Sequence, residues 1–282
     1  MEMTLLSPAK INLFLQVTGK RPDGYHDLVS LMCPVSLYDE ISLTFERPTT
    51  TVTCSIPELP RDRRNLAYQA AERFFKAMDT AAGVDIVIEK RIPVAAGLGG
   101  GSSNAAAVLL GLNRHYDTPF SEAHLMKMGL SIGADVPFFI YGRPAIATGI
   151  GEQIEPYHGL TTPSPVVLVF PGFGVSTEMV YNNLTLGLTN CEETITCTCL
   201  KQQDFNAEDH LYNDLESVTV SKYPAILSVK EVLLRHGAKG ALMSGSGPTV
   251  FGIFSEPGLA QNAAKIISEN RKWQVFLAEL LI

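Results

Sequence analysis

The sequence has little of what an extracellular, membrane-bound or nucleic-acid-binding protein needs. It holds only five cysteines in 282 residues (Cys33, Cys54, Cys191, Cys197 and Cys199), an odd number with no C-x-x-C spacing. That pattern argues against a disulfide framework and for reduced thiols. Cys197 and Cys199 lack the second pair a tetrahedral zinc site requires. No apolar run approaches the ~20 residues that span a bilayer. A strand-like alternation is under way by Leu5, which leaves no room for a cleavable leader. Positive charge is scarce too: Lys and Arg number 22 against 29 Asp and Glu, a net charge of −7. Nonspecific nucleic-acid binding needs a basic surface that displaces counterions. Repeats and low-complexity segments are absent. A cytoplasmic chain with no membrane or nucleic-acid partner is expected, its oligomeric state open.

What is present is globular: 46% apolar and 18% charged residues, in a chain long enough for two lobes with separate cores. "SPAKINLFLQV" alternates, with Ile11, Leu13, Leu15 and Val17 on one face and Lys10, Asn12, Phe14 and Gln16 on the other. Turn residues follow in "TGKRPDGYHDL", then "DEISLTF" alternates again. "RNLAYQAAERFFKAM" has helical spacing, and the strand "GVDIVIEKRIP" runs into a glycine-rich loop with a helix behind it. A further helix, "SEAHLMKMGLSIG", leads to an apolar strand in "ADVPFFIYG". Periodicity dissolves from about Gly151 to Pro165, which sets lobes of 1–155 and 156–282. The second half reads as a small antiparallel sheet with helices on one face, interrupted by weak periodicity at 186–210.

The loop is "PVAAGLGGGSSNAAAVLL", residues 93–110. Glycine loses the most freedom when fixed, so four of them before a run of helix formers imply a very tight turn or a close approach to the backbone. A helix N-terminus offers unsatisfied N–H groups and a positive dipole end, which suits phosphate. A turn that merely permits close packing would look the same. The pattern G-x-x-x-x-G-K-[ST] is absent, and G-x-G-x-x-G fails at Ser102. Asp117 lies in a turn-like context rather than at a strand tip, so a dinucleotide site is disfavoured.

These residues resemble a known family. "PVAAGLGGGSSNAA" is similar to the central motif P-x-x-x-G-L-G-[SG]-S-[SA]-A of the GHMP kinases, the superfamily of galactokinase and of the homoserine, mevalonate and phosphomevalonate kinases. "SPAKINL" and "SGSGPTVF" match its other two motifs in the same order, from residue 7 to residue 251. "AKINLFL", "RPDGYH" and "GADVPFF" resemble a branch that phosphorylates the tertiary 2-hydroxyl of a methylerythritol bearing a cytidine diphosphate group, in non-mevalonate isoprenoid synthesis. The implied fold is α+β and two-lobed, with an N-terminal ribosomal-S5-domain-2-like lobe, a C-terminal ferredoxin-like lobe and the active site in the cleft between them.

The resemblance also implies roles for single residues. Lys10 and Asp135 would be the catalytic pair, the acid serving as base for the attacking alcohol and the amine keeping it ionised. Read alone, Lys10 is a solvated lysine on a strand and Asp135 an aspartate closing a turn. ATP would lie against Asn65 and Lys90 at the adenine, and against Pro93, Val94, Ala95, Ala96, Gly97, Leu98, Gly99, Gly100, Gly101, Ser102, Ser103 and Asn104 at the phosphates. Lys90 read alone is a solvated strand-end lysine, and Asn104 replaces an aspartate common in the family. The substrate would meet Asn12, Tyr25, His26, Thr177 and Tyr181, with Tyr25 and Tyr181 stacking on the two faces of the cytosine and His26 bonding its edge. Gly245, Ser246 and Gly247 would support the phosphate loop or the diphosphate of the substrate. Magnesium would be carried mainly by ATP, with Ser103 assisting, because no acidic cluster for a protein metal site is evident. The competing readings are a kinase for a smaller alcohol, such as homoserine or mevalonate, and a nucleotide sensor without chemistry.

Overall fold

Alternation over the first fifty residues extends further than its motifs suggest. It produces two long strands, β1 (Glu2–Lys20) and β2 (His26–Arg47), joined by the turn at Arg21–Tyr25. The computed structural model describes residues 1–184 and 204–282. The cysteine-bearing stretch 190–200, and most of the weakly periodic segment, lie outside the described residues. Cys33 and Cys54 are buried free thiols.

The described chain divides into two compact units. One comprises residues 1–9, 38–92 and 99–142, the other residues 10–37, 93–98 and 143–282. Both long strands therefore contribute to each unit, and the chain changes unit within the glycine-rich loop.

In the first unit, the C-terminal part of β2 pairs antiparallel with β4 (Gly83–Glu89), which pairs parallel with β3 (Thr51–Cys54). Four helices accompany these strands. Helix α1 (Leu66–Ala77) starts at an Asn65 cap and buries Ala67, Ala70, Ala71, Phe74 and Phe75, the spacing of one helical face. Helix α2 (Gly100–His115) buries residues nearly all round. It lies so close to the strands that a Cβ on Gly111 would stand 2.6 Å from Leu43 Cδ1 and 2.7 Å from Leu5 Cδ1. Ser121 caps α3 (Glu122–Leu130).

One expectation is overturned here. The apolar segment after Asp135 is a helix, α4 (Val136–Tyr141), not a strand. Pro137 lies in its first turn, where a fixed φ and a missing N–H favour helix, and Gly142 ends it at φ 72°. The strand begins later, as β5 (Ala145–Gly149).

In the second unit, β5 pairs antiparallel with β2 and with β6 (Gln153–Pro156), a short strand inside the segment where periodicity dissolves. Next come β7 (Pro165–Phe170) and α5 (Thr177–Asn182). The two-residue strand β8 (Tyr212–Asn213) pairs parallel with β1. Helices α6 (Asp214–Lys222) and α7 (Ala225–Arg235) then lead to β9 (Gly240–Met243) and β10 (Val250–Ile253), and α8 (Pro257–Ile267) precedes β11 (Gln274–Glu279). A separate antiparallel sheet has the order β11-β7-β10-β9. With its crossing helices this is the split βαβ, ferredoxin-like arrangement. Ile226, Val229 and Leu233 of α7, with Ala260, Ala263 and Ile267 of α8, share a core with Val167, Val169 and Val250 of the sheet. The turn between β9 and β10 carries "SGSGPT".

Candidate active site

The glycine-rich loop is held by its carbonyls. Four in succession accept hydrogen bonds: Ala95 from Val175 N (3.1 Å), Ala96 from Thr249 N (3.3 Å), Gly97 from Ser244 Oγ (2.9 Å) and Leu98 from Lys10 N (3.0 Å). Each trans peptide points its N–H opposite its C=O, so the N–H groups that follow these carbonyls face away from their partners. This geometry needs unusual backbone. Ala95, Gly97 and Gly99 all have positive φ, at 52°, 77° and 69°. Strain at a non-glycine such as Ala95 persists only where its surroundings enforce it. In the first unit, the start of α2 offers the backbone N–H groups that a helix N-terminus leaves unpaired, a setting that suits an anion.

Beside the loop, Lys10 and Asn12 are buried, 5% and 3% exposed. The solvated reading of Lys10 therefore fails, because both faces of β1 are covered at this point. Lys10 Nζ donates to Asn12 Oδ1 at 2.6 Å, and Asn12 Nδ2 donates to Ser30 Oγ at 2.8 Å. Ser30 in turn donates to the Phe14 carbonyl. Gly245, at φ 56°, closes over this cluster: a Cβ there would lie 3.2 Å from Asn12 Oδ1, 3.3 Å from the Gly97 carbonyl and 3.6 Å from Lys10 Nζ. The first, second and third motifs thus meet at Lys10, Asn12, Gly97 and Gly245.

Further along the same unit, Thr177 and Ser246 share a hydrogen bond of 2.8 Å between their hydroxyls. The rings of His26 and Tyr181 lie 5.2 Å apart at 33°, while Tyr25 is 59% exposed. Burial pushes the His26 pKa below its ordinary value of 6.5, and the positive charge of Lys20 adds to the shift. At neutral pH the imidazole is uncharged and can accept or donate one hydrogen bond.

The first unit holds the remaining residues. Lys90 is not a solvated lysine, since its side chain is only 4% exposed and it pairs with Asp39. Asn104 donates to Asp39 Oδ2 at 2.8 Å and to Ser7 Oγ at 3.0 Å, and Ser7 donates to Ser103 Oγ at 2.7 Å. Asn65 uses its amide locally: Oδ1 accepts from Ala67 N and Nδ2 donates to the Pro60 carbonyl. The following residue, Leu66, puts Cδ1 3.6 Å from where a Cβ on Gly101 would be. Asp135 is half-buried at the start of α4, its carboxylate not used as a cap. Two residues before it, a Cβ on Gly133 would lie 3.6 Å from Ser102 Oγ, so the "GAD" turn packs beside the first turn of α2.

Several residues escaped the sequence reading. Ser244 supports both Gly97 and Asn12, the latter by a 3.4 Å bond from the Asn12 N–H. Asn213 Nδ2 donates to the carbonyls of Met243 and Gly245 at 2.8 Å each, fixing the turn. Asp39 had a legible signal: it falls on the same alternating face as Ile41, Leu43 and Phe45, all buried. A charge on an apolar face points to a built-in partner.

Residues 65–143 match the GHMP kinases N terminal domain and residues 200–272 the GHMP kinases C terminal domain. The chain is 49% identical over 277 residues to the 4-diphosphocytidyl-2-C-methyl-D-erythritol kinase of Syntrophotalea carbinolica, covering 98% of each chain. It is 45% identical to the enzyme of the same name from Syntrophus aciditrophicus, over 97% of this chain and 98% of that one. A crystal structure of 4-(cytidine 5'-diphospho)-2C-methyl-D-erythritol kinase superposes with a TM-score of 0.82 at 36% identity, covering 99% of both chains. A homoserine kinase from Cytophaga hutchinsonii shares the fold, with a TM-score of 0.76 at 16% identity and coverage of 99% of this chain and 95% of that one. The chain belongs to the GHMP kinases and, within them, to the 4-diphosphocytidyl-2-C-methyl-D-erythritol kinase family.

Proposed function

We propose that this protein transfers the γ-phosphate of ATP to the tertiary 2-hydroxyl of 4-diphosphocytidyl-2-C-methyl-D-erythritol, giving the 2-phosphate and ADP. The observation that carries the chemistry is the anchored loop, whose four carbonyls are bound inward so that its N–H groups and the start of α2 can take the triphosphate. Near-full-length identity to kinases named for the cytidyl substrate supports the choice of alcohol.

In this reading Asp135 takes or orients the proton of the attacking hydroxyl, and Lys10 offsets negative charge on the transferring phosphoryl group. Asn12 holds Lys10 and lies beside the substrate alcohol. His26, neutral at pH 7, bonds the edge of the cytosine, with Tyr181 on one ring face and Tyr25 on the other. Thr177, Ser246 and Gly245 support the substrate diphosphate. Asn65 and Lys90 belong to the adenine end, and residues 93–104 to the phosphates. Magnesium would enter as part of the Mg–ATP substrate, with Ser103 assisting, and would offset negative charge on the phosphates. Among the described residues no group of three or more His, Cys, Asp or Glu could hold a metal ion. No described helix is long and apolar enough to cross a membrane. This reading places the kinase in the cytoplasm, where ATP is supplied.

The test is ADP release with ATP, magnesium and each alcohol in turn. Turnover is expected with the cytidyl substrate and not with homoserine or mevalonate. Turnover with homoserine and none with the cytidyl compound would replace this reading with that of a different GHMP kinase.

A further inference from the structure

Asp39 is fully buried, and it stands on β2 between apolar positions that face the core. An ionised carboxylate in such a place is costly unless every lone pair is used. Here four donors converge on it. Oδ1 accepts from the backbone N–H of Arg91 at 2.8 Å and of Ile92 at 2.9 Å. Oδ2 accepts from Asn104 Nδ2 at 2.8 Å and from Lys90 Nζ.

The chain positions of these donors matter more than their number. Lys90, Arg91 and Ile92 lead into the glycine-rich loop, and Asn104 lies just beyond it in the first turns of α2. One carboxylate therefore ties both flanks of the loop together. The tie continues through Asn104 to Ser7 and from Ser7 to Ser103, both buried. The Lys90 ammonium also lies under the opening of α2: a Cβ on Gly100 would stand 3.0 Å from Lys90 Nζ and 3.0 Å from Ile92 Cγ2. Any rotation of the pair would move the floor beneath the first helical N–H groups.

We infer that Asp39 is the positioning residue of the phosphate loop, fixing the spacing of its two flanks so that the N–H groups are preorganised for the triphosphate. The inference rests on the reading of residues 93–104 as the phosphate site. Asp39 touches no substrate in this account; it acts through Lys90, the 91–92 backbone and Asn104. A glycine-rich segment is flexible by composition, and fixing its ends in advance removes an ordering cost from nucleotide binding.

The donor–acceptor order supplies a sharp test. In Asp39→Asn, Oδ1 can still serve the two backbone donors, but an NH2 group then confronts Lys90 and Asn104, both donors. In the transposed variant, Asp39→Asn combined with Asn104→Asp, the amide introduced at position 39 donates to the carboxylate introduced at position 104, which also pairs with Lys90. Two readouts are measured on the folded full-length protein: hydrogen exchange of the amides at 89–104, and KM for ATP against kcat. In Asp39→Asn, exchange at 89–104 should rise while α7 and α8 are unaffected, and KM for ATP should rise roughly 10- to 100-fold, as for loss of one charge-assisted hydrogen bond. KM for the alcohol should be unchanged, and the transposed variant, in which the bond between positions 39 and 104 is remade, should recover the exchange protection at 89–104. If Asp39→Asn does not fold, Asn104→Ala cuts only the helix side of the tie and should give the same directions. Unchanged loop exchange in folded Asp39→Asn or Asn104→Ala, or no recovery on transposition, overturns the inference. Failure of the phosphate-site reading looks different: wild-type protein would not bind ATP, while the exchange difference at 89–104 would remain.

Discussion

The hydroxyl of Ser244, in the turn after β9, donates a 2.9 Å hydrogen bond to the carbonyl of Gly97, in the middle of the glycine-rich loop. Two motifs separated by 147 residues thus meet backbone to side chain, and the approach leaves no space for a Cβ. One built on Gly97 would stand 2.1 Å from the Ser244 carbonyl oxygen, at a φ of 77°. Gly97→Ala is expected to shift the loop and cost about 10²-fold in kcat/KM for ATP, the scale of a misplacement near 1 Å. Steady-state kinetics on folded protein check this, and wild-type kinetics in that variant would show that the close approach has no bearing on activity.

Asp135 carries the proton-transfer assignment. Asp135→Asn preserves the shape of the side chain and removes its basicity. It is expected to lower kcat by about 10²–10⁴ and to leave nucleotide affinity unchanged, as read by calorimetric titration with ATP. A kcat near the wild-type value would take Asp135 out of the chemistry.

The two halves of the site were unequally legible in the sequence. The loop and the "SGSGPT" turn stood out as glycine clusters, whereas Lys10, a solvated strand lysine when read alone, was singled out only by the family resemblance. Periodicity could not settle "VPFFIY": an apolar run of six residues has no polar face by which to tell helix from strand. Pro137 and Gly142 decide for helix through local backbone preference. Burial on both faces of β1 was hidden as well, because Lys10, Asn12 and Gln16 made one face look wet. Asn213 acts through contacts far along the chain, which no local pattern reports. The place of Asp39 on an apolar alternating face signals a buried partner, while its partners at 90–92 and 104 lie far along the chain.

Tyr181 lies against His26 in the second unit, and its proposed partner is the cytosine ring. Tyr181→Ala is expected to raise KM for the cytidyl substrate by roughly 5- to 150-fold, as for loss of ~1–3 kcal/mol of stacking. KM for ATP should be unaffected, and Tyr181→Phe should behave as wild type. Equal effects on both substrates would point to loss of packing instead.

His26 gives a pH dependence whose sign follows from its lowered pKa. The folded state binds the proton less readily than the unfolded chain. The stabilisation linked to neutral His26 is therefore fully present above the ordinary value of 6.5 and is lost as pH falls from there through the lowered folded value. Urea midpoints measured between about pH 5 and 7.5 should fall more steeply for wild type than for His26→Gln. Parallel curves would mean that protonation of His26 is not linked to folding.

The central claim is that the terminal phosphate of ATP goes to one particular alcohol. Incubation with γ-labelled ATP and 4-diphosphocytidyl-2-C-methyl-D-erythritol, followed by phosphorus NMR of the purified product, tests it directly. The account predicts a new monophosphate on the tertiary 2-hydroxyl, label in that phosphate alone, and one ADP per product. Label appearing only as inorganic phosphate, or on a different hydroxyl, would contradict it.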